Sequence, residues 1–411
     1  MERTFAIVGG GLAGGKAAET LREDGFDGRV VLVGAETERP YERPPLSKEY
    51  LRGEAERSTI YVHDEGYYAE HEIELRLGRT ASDLDVAARE LTLDDGERIR
   101  YDTLLLATGA EPRRLELPGA DLDGVRYLRS VTNSDALRDR FERARSVVVV
   151  GAGWIGCEVA AAARQRGLDV TLVEPLQVPL QRVLGDELGG FYRDVHVEQG
   201  VQVLTGVGVE AFEGGDAVER VVLADGRRID CELVVVGIGV RPRTQLAERA
   251  GLAVDDGVLV DERLQTSAPG VFAAGDVARA QHPFYGATVR VEHWATALNQ
   301  GPAAARSMLG RDVEYDRVPY FYSDQYDVGM EYSGHADGSD HVVIRGDLDA
   351  REFIAFWLRD GVVRAGMNVN VWDVTDPIQA LVRSGAQVDE RRLASADESL
   401  EEIAAQATAH A

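Results

Sequence analysis

The 411-residue chain is 44% hydrophobic and carries a formal net charge of −26, from 45 basic against 71 acidic residues. That length sets an expectation of about three domains, and the acidity argues against nucleic acid and anionic membranes as partners. No run of 18 apolar residues occurs and the N-terminus enters a strand almost at once, so neither a membrane span nor a signal peptide is expected and the setting reads as cytoplasmic.

The two cysteines, Cys157 and Cys231, lie far apart and form no metal-ligand spacing, so no metal site is expected and each reads as a buried, inert thiol. Among the 45 basic residues only Lys16 and Lys48 are lysine. Acidity with so little lysine fits either a high-salt cytosol or a GC-rich genome.

The chain opens Thr4-Phe5-Ala6-Ile7-Val8-Gly9-Gly10-Gly11-Leu12-Ala13-Gly14. The apolar run from Phe5 to Val8 predicts a buried strand of a parallel sheet. Gly9, Gly11 and Gly14 fall in G-x-G-x-x-G spacing where strand should become helix. The first glycine permits a tight turn, and the second lets backbone approach a pyrophosphate. The third lets the helix pack close, with its N–H groups toward phosphate. Such spacing is weak alone. Here an Ala-rich helix follows at 16–22, then a strand at 29–33, then Glu36, 27 residues after Gly9 and suited to accept from ribose hydroxyls.

Pro40, Pro44 and Pro45 forbid regular structure through the first half of 38–48, and a helix is expected to restart near Leu46 and run to about Leu51. The stiff loop carries Arg43 and Lys48, and is either a wall for an anionic cofactor or a solvated surface segment. Short strands at 75–78 and 90–93 read as a hairpin region. A further buried strand ends in the small turn Ala107-Thr108-Gly109-Ala110, the kind of strand end over which a ligand lies.

The opening pattern then recurs. A strand at 146–150 leads into Gly151-Ala152-Gly153-Trp154-Ile155-Gly156, an Ala-rich helix at 157–165, and a strand at 169–173 ending at Glu174, 23 residues after Gly151. Two complete β-turn-α-β-acid units imply two dinucleotides. A strand at 231–236 runs into Gly237-Ile238-Gly239. At Gly275-Asp276 the aspartate either accepts from sugar-like hydroxyls or caps a following helix. Beyond Val318 aromatics concentrate, alternation at 353–358 and 362–367 predicts an antiparallel sheet, and 377–384 a helix. The tail from Ser395 reads as helical or frayed.

On these motifs, together with 40–48, 290–301 and 318–327, the chain resembles the FAD-dependent, NADH-using ferredoxin reductases of the glutathione-reductase-like flavoproteins. The resemblance implies an α/β fold of two Rossmann-like dinucleotide-binding domains, for FAD and NAD, plus a C-terminal α+β domain. The FAD domain would be discontinuous at 1–112 and 243–318, with the NAD domain at 113–242, the C-terminal domain at 319–394 and a tail at 395–411. Gly9, Gly11, Ala13 and Gly14 would hold the FAD pyrophosphate, Glu36 its ribose, and Ala81 the adenine through backbone. Arg43, Lys48, Thr108, Gly109 and Arg129 match cofactor contacts of the family, and Asp276 would bind the ribitol. Trp294 would lie against the flavin ring, unless it is a core tryptophan. Gly151, Gly153, Ile155, Gly156 and Gly239 would hold NADH. Glu174 would favour NADH over NADPH, because a carboxylate pairs with ribose hydroxyls and repels a 2′-phosphate. Glu158 matches a residue near the nicotinamide, with a helix-surface glutamate as the competing reading.

Disulfide reductases of the same superfamily carry a cysteine pair where this chain has Leu46, Ser47 and Lys48. Hydride from NADH would therefore leave the flavin as single electrons to an external acceptor, with Lys48, Glu158 and Trp294 as the catalytic candidates. The implied activity is reduction of a [2Fe–2S] ferredoxin that serves an oxygenase or cytochrome P450, by a monomer or homodimer. A rubredoxin reductase, an NADH oxidase or diaphorase, and a redox-sensing relative of apoptosis-inducing factor are the alternatives. Tyr322 stands where the family usually has tryptophan, which touches the electron-exit surface. Since ferredoxins are themselves acidic, a local basic patch is expected, of arginines near the flavin edge or on the C-terminal domain, such as Arg345, Arg351 or Arg364.

Overall fold

Strand Thr4–Val8 forms the centre of a five-stranded parallel sheet. Arg29–Gly34 and Thr103–Leu106 flank it, and Ile73–Leu77 and Val271–Ala273 lie outermost. Its apolar run is buried because both neighbours are themselves fully covered. A computed structural model describes residues 2–336 and 340–409. It resolves into two compact units, and this sheet belongs to the one comprising Met1–Glu42, Arg57–Glu111 and Val240–Pro319. Helix Leu12–Glu23 packs against helix Trp294–Met308 so closely that a Cβ on Gly301 would lie 2.4 Å from the Ala13 carbonyl oxygen.

The expected hairpin of 75–78 with 90–93 does not form. Ile73–Leu77 instead extends the parallel sheet beside Arg29–Gly34, and Glu90–Leu93 pairs antiparallel with Ala81–Asp85 and Arg98–Arg100. The alternation Ile73, Leu75, Leu77 is that of any half-covered edge strand, parallel or not. Ala81–Asp85 buries only Leu84, so no apolar pattern announced it.

The other unit comprises Arg43–Glu56, Pro112–Gly239 and Tyr320–Ala411. Its parallel sheet runs Gln202–Thr205, Asp169–Glu174, Ser146–Val150, Leu233–Val236, Val125–Tyr127, repeating the first sheet's arrangement around a central glycine-loop strand. A five-stranded antiparallel sheet follows, ordered Tyr320–Gln325, Val328–Gly334, Val362–Val369, Glu352–Arg359, His341–Asp347. The two sheets share one core: Trp154 sets its edge against Phe321 at 5.1 Å and Phe191 against Phe353 at 5.2 Å. The tail is an ordered helix, Leu400–Ala409, and buries Leu400, Ile403, Ala404 and Ala407, one helical stripe.

The helix expected to restart at Leu46 is broken in two. Pro44–Ser47 is a 3-10 turn and Glu49–Arg52 a single α-turn, with Lys48 between them at φ −121° and ψ −121°. Two prolines at the start of the turn fix its entry, and the break aims Lys48 inward, where it is 4% exposed. Among the described residues no helix is long and apolar enough to cross a membrane.

Candidate functional site

The two glycine loops are superposable in their chemistry. Gly9 has φ +131° and a Cβ there would lie 1.9 Å from the Ala107 carbonyl oxygen; Gly151 has φ +96° and its Cβ would lie 2.4 Å from that of Gly237. The third glycines touch the first: Cβ atoms on Gly14 and Gly156 would approach the Gly9 and Gly151 carbonyl oxygens to 2.0 and 1.9 Å. The middle glycines, Gly11 and Gly153, have nothing within 4 Å of such a Cβ. Each is the N-cap of its helix, with no capping side chain and no acidic residue in the first turn. Uncapped N–H groups facing open space at a helix N-terminus fit a pyrophosphate, and this chain offers two such cradles.

Both acidic residues at the second strand's end have protein partners. Tyr41 Oη donates to Glu36 Oε2 at 2.5 Å. Glu174, 8% exposed, accepts from the backbone N–H of Ala152 at 2.7 Å and of Leu176 at 3.0 Å. Glu174 thus braces the second glycine loop itself, while each oxygen keeps a lone pair.

In the first unit, the Thr108 hydroxyl donates to the Arg243 carbonyl at 2.8 Å and the Arg243 N–H to the Gly109 carbonyl at 2.9 Å, pinning the turn after strand Thr103–Leu106. Asp276 sits in the 3-10 turn Gly275–Val277, half-buried, and strand Ala278–His282 follows, so it caps no helix. Gln300 Oε1 accepts the Gly275 N–H at 2.8 Å and holds that turn to helix Trp294–Met308. Trp294, at the first position of this helix, is half-buried and outside the apolar core. Its indole N–H is turned toward Glu42, whose carboxyl is raised chiefly by burial and eased by that contact. The Ala13 backbone lies beneath Gly301, and Ala81 begins strand Ala81–Asp85.

In the second unit, Arg43 donates to the Arg129 carbonyl. Ile155, in the first turn of helix Trp154–Gln165, is 45% exposed despite its apolar side chain. Gly239, φ +93°, accepts the Arg113 N–H at 2.9 Å. Of the arginines expected in a basic patch, Arg345 donates to the Ser395 and Glu398 carbonyls, and Arg351 pairs with Asp327 and Glu198.

Glu158 is not on a helix surface. It is 4% exposed and its Oε1 lies 2.9 Å from Lys48 Nζ. Ser47 Oγ donates to Oε2 at 2.5 Å and Ser323 Oγ to Oε1 at 2.7 Å. Lys48 Nζ also reaches the Pro44 carbonyl at 3.3 Å and lies 5.5 Å from the centroid of the Tyr322 ring, within cation–π range. A tyrosine ring therefore meets the lysine at the position flagged in the sequence as a departure. Cys157 and Cys231 are both free and buried, and burial pushes the Cys231 thiol up to about 12. Among the described residues no cluster of side chains could hold a metal ion.

Residues 3–301 match the family model of the pyridine nucleotide-disulphide oxidoreductases, and 320–404 the reductase C-terminal model. The chain belongs to the pyridine nucleotide-disulphide oxidoreductase family. It is 41% identical over 404 residues to a 5,5′-dehydrodivanillate O-demethylase ferredoxin reductase subunit from a Sphingobium species, covering 97% of this chain and 98% of that one. It is 40% identical over 354 residues to rhodocoxin reductase of Rhodococcus erythropolis, covering 86% and 83% of the two chains. Among solved structures, the covalent putidaredoxin reductase–putidaredoxin complex matches with a TM-score of 0.95 at 35% identity, over 99% of both chains. Within this family's model the chain carries two cysteines, Cys157 and Cys231, both free and buried.

Sequence reasoning missed His196, which is fully buried on helix Gln181–Glu198 and bonded to Gln325. A single histidine on an amphipathic helix carries no pattern of its own. Burial lowers His196 to about 4, against a contrary pull from the Gln325 hydrogen bond. The ring stays neutral in the fold, while an unfolded histidine takes up a proton below about pH 6.5. The fold therefore loses stability through this group as pH falls from about 6.5 toward 4, by roughly 3 kcal/mol in all, and loses none through it above about pH 6.5. Comparing unfolding free energies of wild type and His196→Asn across that window should show a wild-type excess that shrinks on acidification. An excess independent of pH would place the protonated ring in the fold.

Proposed function

We propose that this chain is an FAD-dependent NADH:ferredoxin reductase serving a [2Fe–2S] ferredoxin of an oxygenase or cytochrome P450 system in the cytoplasm. The observation that carries the reading is the pair of matching glycine cradles in a chain whose two cysteines are unpaired and buried. Residues 1–112 with 243–318 serve FAD and 113–242 serve NADH. When bound, FAD supplies a carrier that accepts two electrons together and releases them singly.

The protein's own residues do the binding and the electrostatics. Backbone N–H groups at Gly11 and Gly153 hold pyrophosphates, Glu36 and Glu174 take ribose hydroxyls, and Asp276 the ribitol. Glu174 excludes a 2′-phosphate by like charge, and the nearest following arginine is Arg182. Lys48, buried and held by Glu158, would stabilise the negative charge of a reduced flavin. Trp294 offers a flat face to the flavin ring. No side chain has to move a proton.

The purified FAD enzyme should reduce a [2Fe–2S] ferredoxin with NADH far faster than it reduces rubredoxin or oxygen, and NADPH should be a poor donor. Failure with a panel of [2Fe–2S] ferredoxins alongside good rubredoxin reduction would overturn the choice of partner. A long-lived reduced enzyme that passes electrons to neither would favour a redox-sensing binding protein.

A further inference from the structure

We propose that Ser323, Gln325, His196 and Tyr326 are positioning residues for Glu158: a one-way chain of hydrogen-bond donors that holds its carboxylate against Lys48. The proposal rests on the reading of Glu158 as a nicotinamide-side residue.

The direction of each bond follows from the carboxylate end. A carboxylate only accepts, so Ser323, 2.7 Å from Glu158 Oε1, spends its one proton there. Its oxygen is then the acceptor for Gln325 Nε2 at 3.3 Å. With the amide nitrogen committed, Gln325 Oε1 faces His196 Nε2 at 3.0 Å, and that nitrogen must carry the ring proton. Nδ1 is bare in this neutral tautomer and accepts from Tyr326 Oη at 3.2 Å. The chain closes with one proton donated across each link, and it closes in this direction only while His196 is neutral.

The fold builds the chain from separate elements. Alternation along strand Tyr320–Gln325 buries Ser323 and Gln325 on the face that also carries Phe321. Helix Gln181–Glu198 supplies His196, and Tyr326 follows the strand at φ +59°. Ser323, Gln325 and His196 are each 0–1% exposed. Burying polar groups this deeply costs stability that apolar residues of similar size would not. A purely structural core has no need of them. Aligned donors polarise one another, so the chain delivers a stronger last bond to Glu158 than an isolated serine would. The C-terminal sheet thereby sets the geometry of a residue on the glycine-loop helix.

The test uses the FAD-loaded enzyme. Ser323→Ala should slow flavin reduction at saturating NADH by about tenfold, the worth of one hydrogen bond to a charged group, with the NADH Kd nearly unchanged. Ser323→Thr should restore the rate. Independently of turnover, ¹⁵N shifts of wild-type His196 should report the neutral Nε2–H tautomer, and Tyr326→Phe should mix in the Nδ1–H form. A wild-type rate in folded Ser323→Ala, no rescue by threonine, or an Nδ1–H tautomer in the wild type would each overturn the proposal. Should Ser323→Ala not fold, the tautomer and the rate of Ser323→Thr decide it. Glu158→Gln separates the two levels: a wild-type rate there removes the role given to Glu158 itself. A slow Glu158→Gln beside a fast Ser323→Ala removes the donor chain alone.

Discussion

Adding a single methyl at Gly153 should leave folding intact and weaken NADH binding on the order of 10–100-fold. The ideal Cβ meets nothing within 4 Å, so no protein atom has to move. What it occupies is the open space beside the uncapped N-terminus of helix Trp154–Gln165. Losing one charge-assisted hydrogen bond costs about 1.5–3 kcal/mol, which is roughly 10–100-fold in Kd. Gly156→Ala should behave differently, since its Cβ would stand 1.9 Å from the Gly151 carbonyl oxygen. Backbone must separate there, at about 1–3 kcal/mol or more, so both stability and NADH binding should fall. The pair Gly11→Ala and Gly14→Ala should repeat the contrast for FAD. Thermal unfolding and NADH titration of the four variants check this, and a destabilised Gly153→Ala with unchanged affinity would contradict the cradle.

Lys48→Met should be the second large effect. It removes the cation from a carboxylate that is 4% exposed, and breaking a buried pair costs about 3–5 kcal/mol because the remaining charge is stranded. Ser47 and Ser323 still donate to Glu158 and soften that loss. Flavin reduction by NADH should slow by roughly 100-fold, the usual scale for deleting one preorganised electrostatic group, with FAD retained. The double variant Lys48→Met/Glu158→Gln should be more stable than the sum of the singles, as for residues in contact. Denaturant unfolding and rapid-mixing absorbance measure the two effects. Unchanged rates would return Lys48 to a structural role.

The sequence made the parallel sheets legible because each central strand is a continuous apolar run ending in a glycine loop, and both features are local. Glu158 and Lys48 were legible as single residues, while their pairing was not. They are 110 positions apart, and only the break after the Pro44–Ser47 turn brings Lys48 inward. Arg345 and Arg351 show the same limit: their charge was visible, and the carbonyl and carboxylate groups they contact were distant in the chain. Ala81–Asp85 escaped notice because a strand with one buried residue has no periodicity to read. His196 and Gln325 belong to a polar network, and networks leave no spacing rule behind.

The central claim is that two electrons enter together and leave singly to a ferredoxin. Anaerobic titration of the FAD enzyme with NADH in the presence of excess [2Fe–2S] ferredoxin tests it most directly. The account predicts two ferredoxins reduced for each NADH consumed, with no thiol appearing or vanishing in the protein. NADH consumed without reduced ferredoxin, or with a change in free thiols, would contradict it.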